Sequence, residues 1–196
     1  MVMEDDQLLA AWREGDADAG DTLVSRYFAP ICRFFRSKLG DDVDDLIQRT
    51  FLDCLHTSGG FRGDGSFRSW LFSIAYRRLY DHFRERAGGS DEEIGTRSLQ
   101  DLRTSPSRAV ARTEDMQMVQ SALDRIAVDH RVVLELAYWE GLAGPEIAVA
   151  LGIPANTVRS RLARARAALR EQLTELGQPQ LGDDRVEQLT RAAAEG

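Results

Sequence analysis

Apolar residues recur at three- and four-residue steps along almost the whole chain, and no stretch alternates as a strand would. The spacing predicts helices over residues 7–14 and 21–39, the second with Leu23, Tyr27, Ile31, Phe34 and Phe35 on one side. Gly40-Asp41-Asp42 interrupts the pattern, and an acidic first turn then opens a third helix. Val43, Ile47, Phe51, Cys54 and Leu55 form its apolar side, while Asp44, Asp45, Gln48, Arg49 and Asp53 face away. Residues 56–66 contain four glycines and read as a loop, after which a long helix runs from Phe67 to Arg86. Residues 87–113 lose the period and collect Gly88, Gly89, Ser90, Ser105, Pro106 and Ser107, the composition of a tether. Helical spacing resumes near Glu114 and passes through Met118, Leu123, Ile126, Val133 and Leu136. Residues 177–182 break it again before an acidic tail. The expected architecture is all-α, with two small helical domains at 1–86 and 116–176, a flexible linker at 87–115 and a tail at 177–196.

The sharpest local pattern lies in residues 145–170. Pro145 suits the first position of a helix, and Leu151-Gly152 suits its end. Ile153-Pro154-Ala155 then turns, with Asn156 as the expected N-cap of a second helix. This is helix-turn-helix spacing. Val158, Leu162, Ala165 and Leu169 share the face expected to dock on the first helix. Ser160, Arg164 and Ala167 point the other way, flanked by Arg159, Ala163, Arg166 and Arg170. A face of small residues and arginines fits a major groove; a solvated basic face, or a patch for an acidic protein, is the plainer reading.

Charge distribution sharpens this picture more than net charge does. The 196-residue chain carries a formal −7, which argues against coating nucleic acid by bulk attraction. Yet residues 61–86 hold six basic and three acidic groups, and 156–170 hold five arginines and no acid. These two islands can bind phosphate locally. With 43% apolar residues the chain is neither disordered nor collagen-like, and it has no stretch resembling a membrane span or a secretory leader. Cys32 and Cys54 are too few for a disulfide framework, so a reducing cytoplasm is expected, with both thiols as small core residues. His56, His82 and His130 join no metal-ligand spacing, and the only lysine, Lys38, follows no phosphate-cradling glycine motif. No cofactor and no catalytic set is expected.

The run Glu140-Gly141-Leu142, Glu146-Ile147-Ala148, Leu151-Gly152-Ile153-Pro154 and Thr157-Val158-Arg159-Ser160-Arg161-Leu162 resembles the C-terminal promoter-binding domain of bacterial sigma factors. The compact extracytoplasmic-function (ECF) group is the most similar. Asp45-Leu46-Ile47-Gln48 with Thr50-Phe51-Leu52 is similar to that family's polymerase-binding helix. Phe61-Arg62-Gly63, Ser66-Phe67, Trp70-Leu71, Ile74-Ala75 and Asp81-His82-Phe83 are similar to its promoter-melting segment. The resemblance implies a specificity subunit of bacterial RNA polymerase, bound to the β′ clamp helices and β flap, to promoter DNA and to an anti-sigma factor. It assigns the upstream promoter element to Asn156, Thr157, Arg159, Ser160, Arg161, Ala163, Arg164 and Arg166. It assigns the downstream element to Ser58, Phe61, Arg62, Ser66, Arg68, Tyr76, Arg77 and Arg84, and polymerase binding to Asp44, Asp45, Leu46, Gln48, Arg49 and Leu52.

Several alternatives stay open at the level of sequence. Phe72, Tyr76, Tyr80 and Phe83 share one helix side and either stack on bases or form core. The polar strip of the third helix is either a docking face or an ordinary solvated one. The linker is either a tether or an acidic mimic of transcript. Where the family usually has a Ser or Thr cap before its helix-turn-helix, Ala143-Gly144-Pro145 stands, so Gly144 or solvent is expected to cap. Arg77 replaces a usual Asn. The rival functions are a helix-turn-helix repressor or activator that works without polymerase, and a small helical enzyme. A further expectation is that the domains close on each other and bury the Arg159–Arg170 face.

Overall fold

The computed structural model describes residues 3–57, 65–102 and 114–177, together with Gln188. Helices account for all regular structure among them, apart from one isolated bridge between Ser98 and Ala127. The first four helices are α1 (Asp5–Arg13), α2 (Ala17–Leu39), α3 (Asp44–Thr57) and α4 (Phe67–Ala87). Asp16 starts α2 by accepting the Ala19 N–H, and Ser66 starts α4 by accepting the Ser69 N–H. The apolar stripes then interlock: Leu23, Ile31, Phe34 and Phe35 of α2, Ile47 and Cys54 of α3, and Phe67, Leu71, Phe72 and Leu79 of α4 are all buried. Phe34 meets Phe35 and Phe72 edge-on, with ring centroids 5.4 and 5.7 Å apart. Asp5 ties α1 to this bundle through Arg26 and the Tyr27 hydroxyl.

The stretch expected to be a linker is partly helical. Two short helices, α5 (Asp91–Thr96) and α6 (Leu99–Leu102), follow α4 directly. Ser90 and Glu93 cap α5 reciprocally, and Ile94, Leu99 and Leu102 are buried. Three apolar residues in two short turns are too few to show a period, which is why the sequence pattern there looked irregular. The Arg97 carbonyl also accepts the Val128 N–H at 2.9 Å, fixing this segment to the second domain. Residues 103–113 lie outside the described residues, as does the expected acidic tail apart from Gly177 and Gln188.

The second domain is α7 (Glu114–Arg125), α8 (Val128–Tyr138), α9 (Gly144–Leu151) and α10 (Ala155–Glu175). Val119, Leu123, Val132, Leu136, Ile147, Val158, Ala165 and Leu169 form its core. Leu162, expected on the docking face, is half-buried. The turn between α9 and α10 depends on Gly152, whose φ of 65° and ψ of 31° are left-handed. No side chain caps the first turn of α9; Glu146 instead reaches back, its carboxylate accepting the Ala143 N–H at 2.9 Å. Helix α10 begins at Ala155 after Pro154, one residue before the expected cap. Asn156 therefore sits inside the first turn, where its side chain accepts the Thr157 N–H at 2.9 Å.

The two domains pack together. Helix α9 lies against both α4 and α10, and α5 lies against α8. The junction is polar, and the acids come from the second domain. Glu135 takes Lys38 and Arg131, all three side chains being fully or almost fully buried. Arg131 also donates to the Ser37 carbonyl at 2.7 Å and pairs with Asp124. Glu140 accepts from Arg33 at 2.7 Å and from Arg68 at 3.2 Å. Burial pulls the Lys38 ammonium down to about 8, against the opposing pull of Glu135. Among the described residues no buried polar side-chain atom lacks a partner.

Candidate nucleic-acid interface

The α10 face opposite its buried residues is open. Arg159, Ser160, Ala163 and Arg164 are exposed, as is Asn156, while Thr157 is half-buried. The Ser160 hydroxyl bonds back to the Thr157 carbonyl at 3.0 Å, which leaves a shallow surface of small residues between two arginines. Such a surface permits close approach to base edges. Two expected contacts are engaged elsewhere. Arg166 donates to the Tyr138 hydroxyl at 2.6 Å and lies over that ring, bracing α10 on α8. Arg161 pairs with Asp129 at 2.9 Å. Domain closure is present, but it leaves the Arg159–Arg164 face uncovered, contrary to expectation.

Closure instead covers part of the α4 island. Ser66 donates to Glu146 at 2.8 Å, Arg68 is held by Glu140, and Tyr76 donates to Asp129 at 3.2 Å. Phe72, Tyr80 and Phe83 are buried, so three of the four rings are core, and half-buried Tyr76 meets Tyr80 at a tilt of 51° with centroids 4.5 Å apart. Burial followed by the Asp129 charge pushes the Tyr76 phenol up to about 12; burial likewise drives the Tyr80 phenol far up. Arg77 and Arg84 remain exposed, Arg84 bridging Asp81 and Asp91. Ser58, Phe61 and Arg62 lie outside the described residues.

On α3, Asp44, Asp45, Gln48, Arg49 and Leu52 are exposed and Leu46 is half-buried, so the strip faces solvent. Asp45 and Arg49 pair along it at 2.9 Å. Leu52 is 45% exposed, an apolar contact point in an otherwise polar surface. Cys32 and Cys54 are buried as expected, and burial lifts the Cys54 thiol to about 12. Among the described residues no three potential ligands cluster around a metal position, and no helix is long and apolar enough to cross a membrane.

Sequence reasoning passed over Lys38, Asp129, Arg131, Glu135 and Glu140. A signal existed for two of them: Lys38 interrupts the apolar run around Phe34 and Phe35, and Glu135 sits between Leu134 and Leu136. Charges embedded in an apolar stripe mark buried pairs.

Comparison with known proteins agrees with this geometry. Residues 23–88 match the family model for Sigma-70 region 2, and residues 116–169 match that for Sigma-70, region 4. The RNA polymerase sigma-H factor of Pseudomonas aeruginosa is 33% identical over 88% of this chain and 95% of its own. The ECF RNA polymerase sigma factor SigM of Mycobacterium tuberculosis is 34% identical over 84% of this chain and 82% of its own. A solved structure of CnrH in complex with the cytosolic domain of CnrY superposes with a TM-score of 0.65 at 28% identity, covering 87% of this chain and 97% of that one. The sigma factor RpoE from Bartonella quintana, solved in complex with the anti-sigma factor NepR, gives 0.58 at 26% identity, over 74% and 91%. Both regions occur in order, and full-length relatives share a third of the residues, so the chain belongs to the ECF sigma factors, which direct RNA polymerase to start transcription at selected promoters.

Proposed function

We propose that this sigma factor divides promoter engagement among three surfaces, each carried by one helix. Helix α10 reads the upstream element through Arg159, Ser160, Ala163 and Arg164. The observation that carries this is their joint exposure opposite the buried Val158, Ala165 and Leu169. Helix α4 and the segment before it serve the downstream element, with Arg77 and Arg84 exposed in the closed chain and Ser66, Arg68 and Tyr76 joining after the domains part. The α3 strip of Asp44, Asp45, Leu46, Gln48, Arg49 and Leu52 docks on core polymerase, where an acidic surface repels DNA and so favours a protein partner. The protein works in the cytoplasm and contributes no catalytic group of its own. An anti-sigma factor is a further partner, since two structural relatives are each held by another protein, named as an anti-sigma factor in one case.

The deciding experiment adds the chain to core RNA polymerase and selects initiating promoters from a random DNA library. Promoter-specific transcripts are expected, and a chain that binds DNA but never redirects polymerase is instead a free-standing repressor or activator. In the same assay Asp45→Arg with Gln48→Ala should weaken holoenzyme assembly at least tenfold. Unchanged assembly would remove α3 from the polymerase interface.

A further inference from the structure

Asp129 stands in the first turn of α8, where three other elements meet its carboxylate. Its Oδ1 accepts the hydroxyls of Tyr76 and Tyr80 from α4. Its Oδ2 takes the Arg161 guanidinium from α10 at 2.9 Å. From α5, Gly95 packs so closely that a Cβ there would lie 2.9 Å from the Asp129 Cγ, and the carboxylate would have to shift to admit it. The carboxylate is 24% exposed and the Arg161 side chain 18%, so this pair is shielded more than an ordinary surface bridge. The two phenols belong to region 2 and the arginine to the helix assigned to upstream DNA. One carboxylate therefore joins both promoter-binding modules.

Its energetics follow from what happens when Arg161 leaves. DNA phosphates compete with the carboxylate for that guanidinium, and release of condensed counterions favours the transfer. Asp129 would then be held only by two neutral phenols, with its charge mostly out of water and uncompensated. That state is costly. Separation of α8 from α4 lets water solvate the carboxylate and releases Tyr76 and Tyr80 together. We propose that Asp129 couples the two DNA-binding modules: transfer of Arg161 to promoter phosphate loosens the domain contact and frees the α4 tyrosines. This rests on the assignment of α10 to upstream DNA. Linkage makes it reciprocal, so anything that parts the domains also frees Arg161 and tightens upstream binding.

The test uses the full chain labelled at Glu85→Cys and Glu171→Cys, both exposed positions, with energy transfer reporting domain separation. The probe is a duplex bearing the upstream element selected with holoenzyme. In the wild type, saturating duplex should lower transfer. Asp129→Asn, nearly isosteric but uncharged, should bind the duplex about tenfold more tightly and show no duplex-dependent change in transfer. Tyr76→Phe with Tyr80→Phe keeps both rings and guards against misfolding of the first variant; it should lower transfer before any DNA is added. Equal duplex affinity in wild type and Asp129→Asn, or wild-type transfer indifferent to duplex, overturns the coupling. Transcription with core polymerase is run in parallel. Promoter-specific transcripts alongside negative binding and transfer results remove only the role of Asp129, whereas absence of transcripts removes the functional reading beneath it.

Discussion

The two arginine-rich helices of this protein, α4 and α10, meet opposite fates in the folded chain. On α10 Arg159, Ser160, Ala163 and Arg164 are open to solvent; on α4 Ser66, Arg68 and Tyr76 are occupied by Glu146, Glu140 and Asp129. The difference lies in what accompanies the arginines. Around Arg159 and Arg164 there are only Ser160, Ala163 and Ala167, which lose little by facing water. Around Arg77 there are Phe72, Tyr76, Tyr80 and Phe83, large rings that seek cover whenever no bases are present to stack on them. Phe72 finds cover against Phe34 in its own domain, while the second domain engages the Tyr76 and Tyr80 hydroxyls and adds four acids where the first supplies cations and hydroxyls. Basic composition alone therefore does not define a free nucleic-acid surface; its neighbours do.

The strongest way to break the contrast is Glu135→Ala. Lys38 and Arg131, both with no exposed side-chain surface, would then lose their shared acid. Removing one partner of a buried ionic cluster costs about 3–5 kcal/mol, measurable by urea unfolding. Glu140→Gln should cost much less, because Arg33 and Arg68 are each about a third exposed. Equal losses would mean that the junction is not organised around Glu135.

A medium effect is expected on the open side. Arg164→Ala should lose about 1–3 kcal/mol of affinity for the selected upstream element while weakening random duplex far less. Equal weakening on both would make Arg164 a phosphate contact. Arg166→Ala should instead lower stability and leave sequence discrimination intact, because its guanidinium is committed to Tyr138.

The smallest effect concerns His130, beside Asp129. Burial, then the Arg164 charge, depress its pKa; Asp129 opposes them. A depressed pKa means that the unfolded chain takes up the proton first. Stability is therefore full above the ordinary histidine range and falls as pH drops through the folded value. As pH drops below the ordinary histidine range the wild type should lose more stability than His130→Gln in acid titration of the unfolding midpoint. Parallel curves would mean that the ring is equally solvated in both states.

Much of this molecule was legible in its residues. The helical period located α2, α3, α4 and α10 within a few residues, and Gly152 marked the turn that aims α10. The exposed and buried sides of α3 were also readable, because they follow one helix period. The junction was not. Asp129, Glu140 and Glu146 look like ordinary helical residues in isolation, and even where the apolar neighbours of Glu135 and Lys38 mark burial, only tertiary packing pairs the two across 97 residues. The α5 and α6 turns escaped for a related reason: Ile94, Leu99 and Leu102 have meaning only against the domains that bury them.

The solitary lysine has a practical consequence. Lys38 is the one side-chain amine in 196 residues, and in the closed chain it is sealed from solvent. An acylating reagent thus has a single side-chain target whose reactivity requires the domains to part. The speed at which that amine is acylated becomes a clock for opening, built into the native sequence and read by mass without any added label. Polymerase, promoter duplex or an inhibitory partner would each set the clock to a different rate.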